Sequence, residues 1–279
     1  MIAQPARRLI WILVGGLTCL LCEAADAQVA VPRALSDGEE AAVYAGSAGL
    51  FLVSRLARDH ADSVVASGYR VNALDRWWRD RLHRGDGLTG NFLDNNRGSA
   101  ATPLAATLIM AGLDIDQREF GRDLPFFVSG VLTTKAVTDL TKRLAHRPRP
   151  CCVEGICPEN GNTDDDPSHG HSFFSGHASS AFYTATFLNL RLRREMRMNW
   201  TSDEYRIGRV ASPILCFGWA GFVGLSRIHA DRHFFTDVLA GALAGTLVGE
   251  LYYQLAYESP DGGMANDELP LFVLRIPIN

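Results

Sequence analysis

Ser226-Arg227-Ile228-His229-Ala230-Asp231-Arg232-His233-Phe234-Phe235-Thr236-Asp237 runs directly into an apolar stretch, roughly 237–256, built largely of Ala, Leu and Gly. That stretch is far longer than a typical strand of ~5–6 residues, and it lacks the two-residue alternation of a half-buried sheet. It reads as a helix that begins beside a cluster of charged and aromatic residues. Five more stretches read the same way, at roughly 41–57, 100–113, 125–141, 177–191 and 209–226. Together they predict one all-α domain, a bundle of at least six helices, with its motif-bearing core at about 100–256.

Composition suits a folded domain, with 47% apolar and 21% charged residues. The net charge of −4 gives no basic field for nucleic acid. Arginines are interleaved with acids, as in Asp75-Arg76-Trp77-Trp78-Arg79-Asp80-Arg81, which reads as a solvated, ion-paired surface. Trp77 and Trp78 suit packing inside this helical insert, with contact to a lipid surface as the alternative.

Arg7 and Arg8 precede an apolar run, Leu9 to Cys22, and then Ala25-Asp26-Ala27. This order matches a secretory signal peptide over residues 1–27, leaving 28–279 as the mature domain. Lys135 and Asp139 interrupt the third apolar stretch, Glu250 the sixth, and the mean hydropathy is +0.00. Arginines flank the helices at 58–97 and again at 191–209, without the one-sided bias of a polytopic membrane protein. The expectation is a bundle soluble in the periplasm or secreted, with an integral inner-membrane or membrane-docked form as the alternative. The sequence gives no oligomeric state. Export favours oxidised cysteines, so Cys157 is expected to pair with Cys152 or with its neighbour Cys151. Cys216, inside an apolar run, reads as a buried free thiol.

Three blocks carry chemistry. Lys142-Arg143-Leu144-Ala145-His146-Arg147-Pro148-Arg149-Pro150 closes the third helix, Phe174-Ser175-Gly176-His177 opens the fourth, and Ser226 to Asp237 joins the fifth to the sixth. In an up-down bundle these ends share one face. Lys142, Arg149 and Arg227 supply fixed positive charge. Ser175 and Gly176 sit where a helix N-terminus offers free N–H groups to an anion. His177 and His233 can divide the roles of acid and nucleophile. Asp237, four residues after His233, is placed to hold its Nδ1–H on a shared helical face.

The blocks resemble the K-x6-R-P, P-S-G-H and S-R-x5-H-x3-D motifs of the superfamily that joins type 2 phosphatidic acid phosphatases to vanadium haloperoxidases. The resemblance implies a phosphatase in which Lys142, Arg149, Ser175, Gly176 and Arg227 bind phosphoryl oxygens. It implies that His233 forms a phosphohistidine, His177 protonates the leaving alkoxide and Asp237 orients His233. No metal or other cofactor is implied, and vanadate can occupy the phosphate site. The substrate is then a small-molecule or lipid phosphate, and a membrane surface is a candidate partner. Phe174 stands where the family has Pro, which predicts a changed pocket wall. Two rival readings remain: a vanadate-dependent haloperoxidase, and a non-enzymatic phosphate or phospholipid binder. Asp164-Asp165-Asp166 with His169 and His171 reads as solvated loop rather than a cation site.

Overall fold

The computed structural model describes residues 29–57, 69–83, 96–113, 118–153 and 171–258. Its helices are α1 (Asp37–Leu56), α2 (Ala73–Leu82), α3 (Asn96–Leu113), α4 (Arg118–Ala145), the single turn α5 (Pro150–Val153), α6 (Gly176–Asn199), α7 (Ser202–His229) and α8 (Phe235–Ala256). Each of the six apolar stretches lies in one of the six long helices, so the fold is the all-α bundle expected. The signal peptide, Cys157 and the Asp164–Asp166 loop lie outside the described residues.

Local chemistry sets the helix starts. Ser36 caps α1 and Glu39 reaches back to the Ser36 N–H at 2.8 Å, closing a capping box. Thr201 and Glu204 repeat the pattern at α7. At the other end of α4, His146 adopts φ +44°, in the left-handed region that ends helices. The chain is thereby turned back across the bundle toward Arg147 and Arg149.

α6 is the central helix, buried on nearly every side from Ala178 to Leu188. Its main neighbour is α8, which presents a stripe of glycines. A Cβ at Gly241 would lie 2.6 Å from the Ser175 carbonyl oxygen, and one at Gly245 would overlap the Ser179 carbonyl. Only glycine lets the two helix backbones lie this close. The N-termini of α6 and α8 are thus brought side by side, where the second and third sequence blocks begin. We expect Gly245→Ala to lower the melting temperature, because overpacking of about 1–3 kcal/mol outweighs the gain in helix propensity. Gly46→Ala on α1, where a Cβ meets open space, should be neutral or stabilising. Equal melting curves for the two variants would refute close packing at Gly245.

The far end of the bundle is tied by buried ions. Arg191, 1% exposed, donates to Asp123 at 2.7 Å, Glu119 at 2.5 Å and Glu195 at 2.9 Å. Arg194 donates to Glu119 and to the Ala30 carbonyl, both at 2.7 Å. A two-residue antiparallel pairing of β1 (Val31–Pro32) with β2 (Tyr257–Glu258) closes the same end. Arg191 and Arg194 are therefore interior residues of α6. They do not belong to a solvated flank and carry no weight against a membrane topology.

The insert also departs from expectation. Asp75 is 0% exposed, and Arg79 forms a bidentate pair with Asp231 at 2.5 and 2.6 Å. Trp78 stacks on Phe235 at 4.6 Å, which is the packing role expected for it. α2 is thus docked through Asp75, Trp78 and Arg79 on the joint between α7 and α8, while Arg76, Asp80 and Arg81 form the exposed face expected.

The outer faces are apolar. α8 exposes Leu239, Leu243, Leu247 and Leu251 at four-residue spacing, and α7 exposes Ile207, Ile214, Leu215 and Phe222 among others. α1 and α3 add Leu52, Val53, Leu104 and Leu108. α7 is long and apolar enough to cross a membrane, with a mean hydropathy of 1.3 over its apolar window. On α7 and α8 the motif residues lie beyond the ends of this belt.

Candidate active site

The three blocks meet at one end of the bundle, and backbone hydrogen bonds stitch them together. The Ser172 N–H donates to the Arg147 carbonyl at 2.7 Å, joining the first block to the residues just before the second. The Ser175 N–H donates to the Asp237 carbonyl at 3.0 Å, joining the second to the third. Ser175 is the N-cap of α6, and Gly176 and His177 form its first turn. A Cβ at Gly176 would lie 3.2 Å from Thr138 on α4. Arg227 lies in the last turn of α7 and is buried. The Phe173–Phe174 peptide is cis, and Phe174 is buried.

The positive charges of the site act on both histidines. Burial, then the charges of Arg227, Lys142 and Arg149, hold His177 well below the ordinary histidine range. Among the described residues its Nε2 is buried with no hydrogen-bond partner. Burial likewise pushes His233 down to about 4, with Lys142 and Arg149 acting the same way and Asp237 opposing them. Both imidazoles are therefore neutral at pH 7. The Nδ1 of His233 is 2.8 Å from the Ser172 carbonyl. A carbonyl only accepts, so Nδ1 carries the proton and Nε2 the lone pair.

Asp237 differs from expectation. α8 begins at Phe235, so His233 precedes the helix and the two residues do not share a helical face. Asp237 is the third residue of α8, and its Oδ2 accepts from the Phe234 N–H at 2.8 Å as a cap. Arg147 donates to Oδ1 at 2.6 Å, and the Ser172 hydroxyl donates to Oδ2. The distance from His233 Nδ1 to Asp237 Oδ2 is 3.8 Å, too long for a hydrogen bond. Burial alone would raise the Asp237 carboxyl, but His233, Arg147 and Ser172 hold it below its usual value.

Three residues here escaped the sequence reading: Arg147, Ser172 and Asp75. Arg147 lies inside the first block, two positions before Arg149, and Ser172 lies three before Ser175. Either offset was a usable signal. Asp75 had none, since it stands in a run where acids and arginines alternate. Cys151 and Cys152 form α5, directly after Arg149. Their sulfurs are 4.0 Å apart and so not bonded to each other, and neither is a free thiol. Cys216 is a free thiol, as expected, though half-buried rather than buried. His171, read as part of a loop, is buried. Among the described residues, no group of three or more His, Cys, Asp or Glu is placed to hold a metal.

The arrangement can bind a tetrahedral anion between two neutral imidazoles. Phospholipid phosphatase 1 of Mus musculus is 29% identical over 136 residues, covering 42% of this chain and 46% of the relative. Lipid phosphate phosphatase 1 of Arabidopsis thaliana is 33% identical over 143 residues, covering 47% and 43%. The matched part thus spans less than half the length of either relative. A transmembrane PAP2 type phosphatidylglycerolphosphate phosphatase from Bacillus subtilis, known from a crystal structure, aligns over 88% of this chain and 92% of that one. Its identity is 17% and its TM-score 0.42. The PAP2 superfamily model matches residues 124–261, a stretch that encloses Lys142, Arg149, His177, Arg227, His233 and Asp237. Residues 124–261 of the chain belong to the type 2 phosphatidic acid phosphatase (PAP2) superfamily.

Proposed function

We propose that the protein is a phosphatase that hydrolyses the phosphate esters of lipids through a phosphohistidine, without a metal, at a membrane. The observation that carries this reading is the neutral His233, its proton on Nδ1, in the field of Lys142 and Arg149, with His177 among the same charges. The lone pair of His233 Nε2 attacks phosphorus, and the P–O bond to the leaving group breaks. The released alkoxide takes a proton from His177, which must have gained it with the substrate. Water then attacks phosphorus, His177 accepts its proton, the P–N bond breaks and phosphate leaves. Lys142, Arg149, Arg227, the Ser175 hydroxyl and the Gly176 N–H hold the equatorial oxygens, where charge accumulates.

Lipid substrates are supported by the names of the relatives and by apolar side chains at the motif-bearing end. Leu144, two residues after Lys142, is 84% exposed, and Leu74 on α2 is 49% exposed. The leucine stripe of α8 and the outer face of α7 favour a bundle set in the bilayer over the soluble form. Scattered exposed leucines need no explanation, but a four-residue stripe on one helix face does.

One assay series tests both parts. We expect activity toward phosphatidic acid in mixed micelles, and toward p-nitrophenyl phosphate, to persist in EDTA. The protein should also stay with membranes through alkaline carbonate washing. Loss of activity in EDTA with rescue by a divalent cation would overturn the metal-free reading. Halide oxidation with added vanadate in place of hydrolysis would favour the haloperoxidase, and phosphate binding without turnover the simple binder.

A further inference from the structure

His233 is held by a residue outside the motifs. Its Nδ1–H donates to the Ser172 carbonyl at 2.8 Å, while the nearer carboxylate oxygen of Asp237 is 3.8 Å away. Ser172, fully buried, is itself fixed at both remaining polar groups. Its N–H donates to the Arg147 carbonyl at 2.7 Å, and its hydroxyl donates to Asp237 Oδ2. The guanidinium of Arg147 spans two carboxylates, Asp237 Oδ1 at 2.6 Å and Asp75 Oδ2 at 2.5 Å. Asp75 also accepts from the Thr236 N–H and hydroxyl, both at 2.9 Å. These contacts fasten α2 to the first turn of α8.

We propose that Ser172 is the positioning residue that sets the tautomer of His233, and that the buried chain Asp75–Arg147–Asp237 holds Ser172 in place. The assignment rests on His233 as the nucleophile. Two physical arguments support it. The Asp237 carboxylate is already engaged by Arg147, Ser172 and the Phe234 N–H, so it has little cause to swing toward the imidazole. Two carboxylates around one guanidinium also leave one net negative charge behind His233. The ring becomes positive as Nε2 bonds to phosphorus, and that charge stabilises it across 3.8 Å. Asp237 then acts by field and by its grip on Ser172, without a direct hydrogen bond.

The test is nitrogen NMR of the full protein labelled with ¹⁵N in its histidine rings, with the His233 signals identified by their loss in His233→Gln. Wild type should show His233 protonated on Nδ1. Ser172→Ala and the isosteric Asp75→Asn should populate the Nε2–H tautomer and lower kcat by about 100-fold, with KM nearly unchanged. A wild-type Nε2–H tautomer would overturn the assignment, whatever the variants do. Retention of the Nδ1–H tautomer and of kcat in both variants would overturn the chain behind Ser172. Tautomer shifts as expected in a protein that shows no turnover would remove the nucleophile reading and leave the Ser172 assignment standing.

Discussion

His233→Ala should abolish turnover, a loss on the order of 10⁴-fold or more, because the nucleophile has no substitute. The neighbouring groups explain why. Lys142, Arg149 and Arg227 are cationic and cannot attack phosphorus. His177 is held well below the ordinary histidine range by burial and by those charges, so it is neutral, but its role requires it to give up a proton. Ser175 is occupied as the N-cap of α6. The intermediate expected in wild type is a phosphoramidate, alkali-stable and acid-labile, so labelled enzyme should be trapped by alkaline denaturation. Labelling and turnover should disappear together in His233→Ala. Folding is checked separately by circular dichroism, since removing a buried imbedded ring leaves a cavity. An alkali-stable label that survives in the variant, or near-normal turnover, would move the nucleophile elsewhere.

The bundle was legible because its six long helices carry apolar runs far longer than a strand, and no strand pattern competes with them. The meeting of the three blocks was legible because alternating helices return to the same end. The support of the site was not. Asp75 and Arg79 are four apart on α2 and look like an ordinary surface pair. In the folded protein each turns away from the other, Asp75 to Arg147 and Arg79 to Asp231. Burial, which decides this, leaves no trace in a run of mixed charges. The spacing of His233 and Asp237 misled for a related reason. Four residues mean a shared face only inside a helix, and α8 starts after His233. The apolar faces show the same limit, because a run of Ala, Leu and Gly does not say which side packs against protein. On α8 the glycines turn to α6 and the leucines turn outward, and only the fold separates the two stripes.

His177→Ala should separate substrates by their leaving groups. Burial and the charges of Arg227, Lys142 and Arg149 keep His177 neutral in the free protein, and its Nε2 is without a partner among the described residues. A bound phosphate brings negative charge that offsets those cations, so the imidazole gains proton affinity only when substrate is present. The proton it then carries is the one an alkoxide needs. General acid catalysis of this kind contributes about 10²- to 10⁴-fold, so His177→Ala should cost that much with an alkyl phosphate such as phosphatidic acid. A nitrophenolate leaves without help, and the loss there should be below about 10-fold. The pH dependence has a definite sign. The productive complex holds one proton shared between His177 and the phosphate, so the wild-type rate with alkyl substrates should fall as pH rises past the second phosphate ionisation near about 6. That decline should be weak with the nitrophenyl ester and absent from the His177→Ala variant. Equal losses on both esters, with the pH limb intact, would make His177 a binding group and leave the leaving alkoxide to another donor.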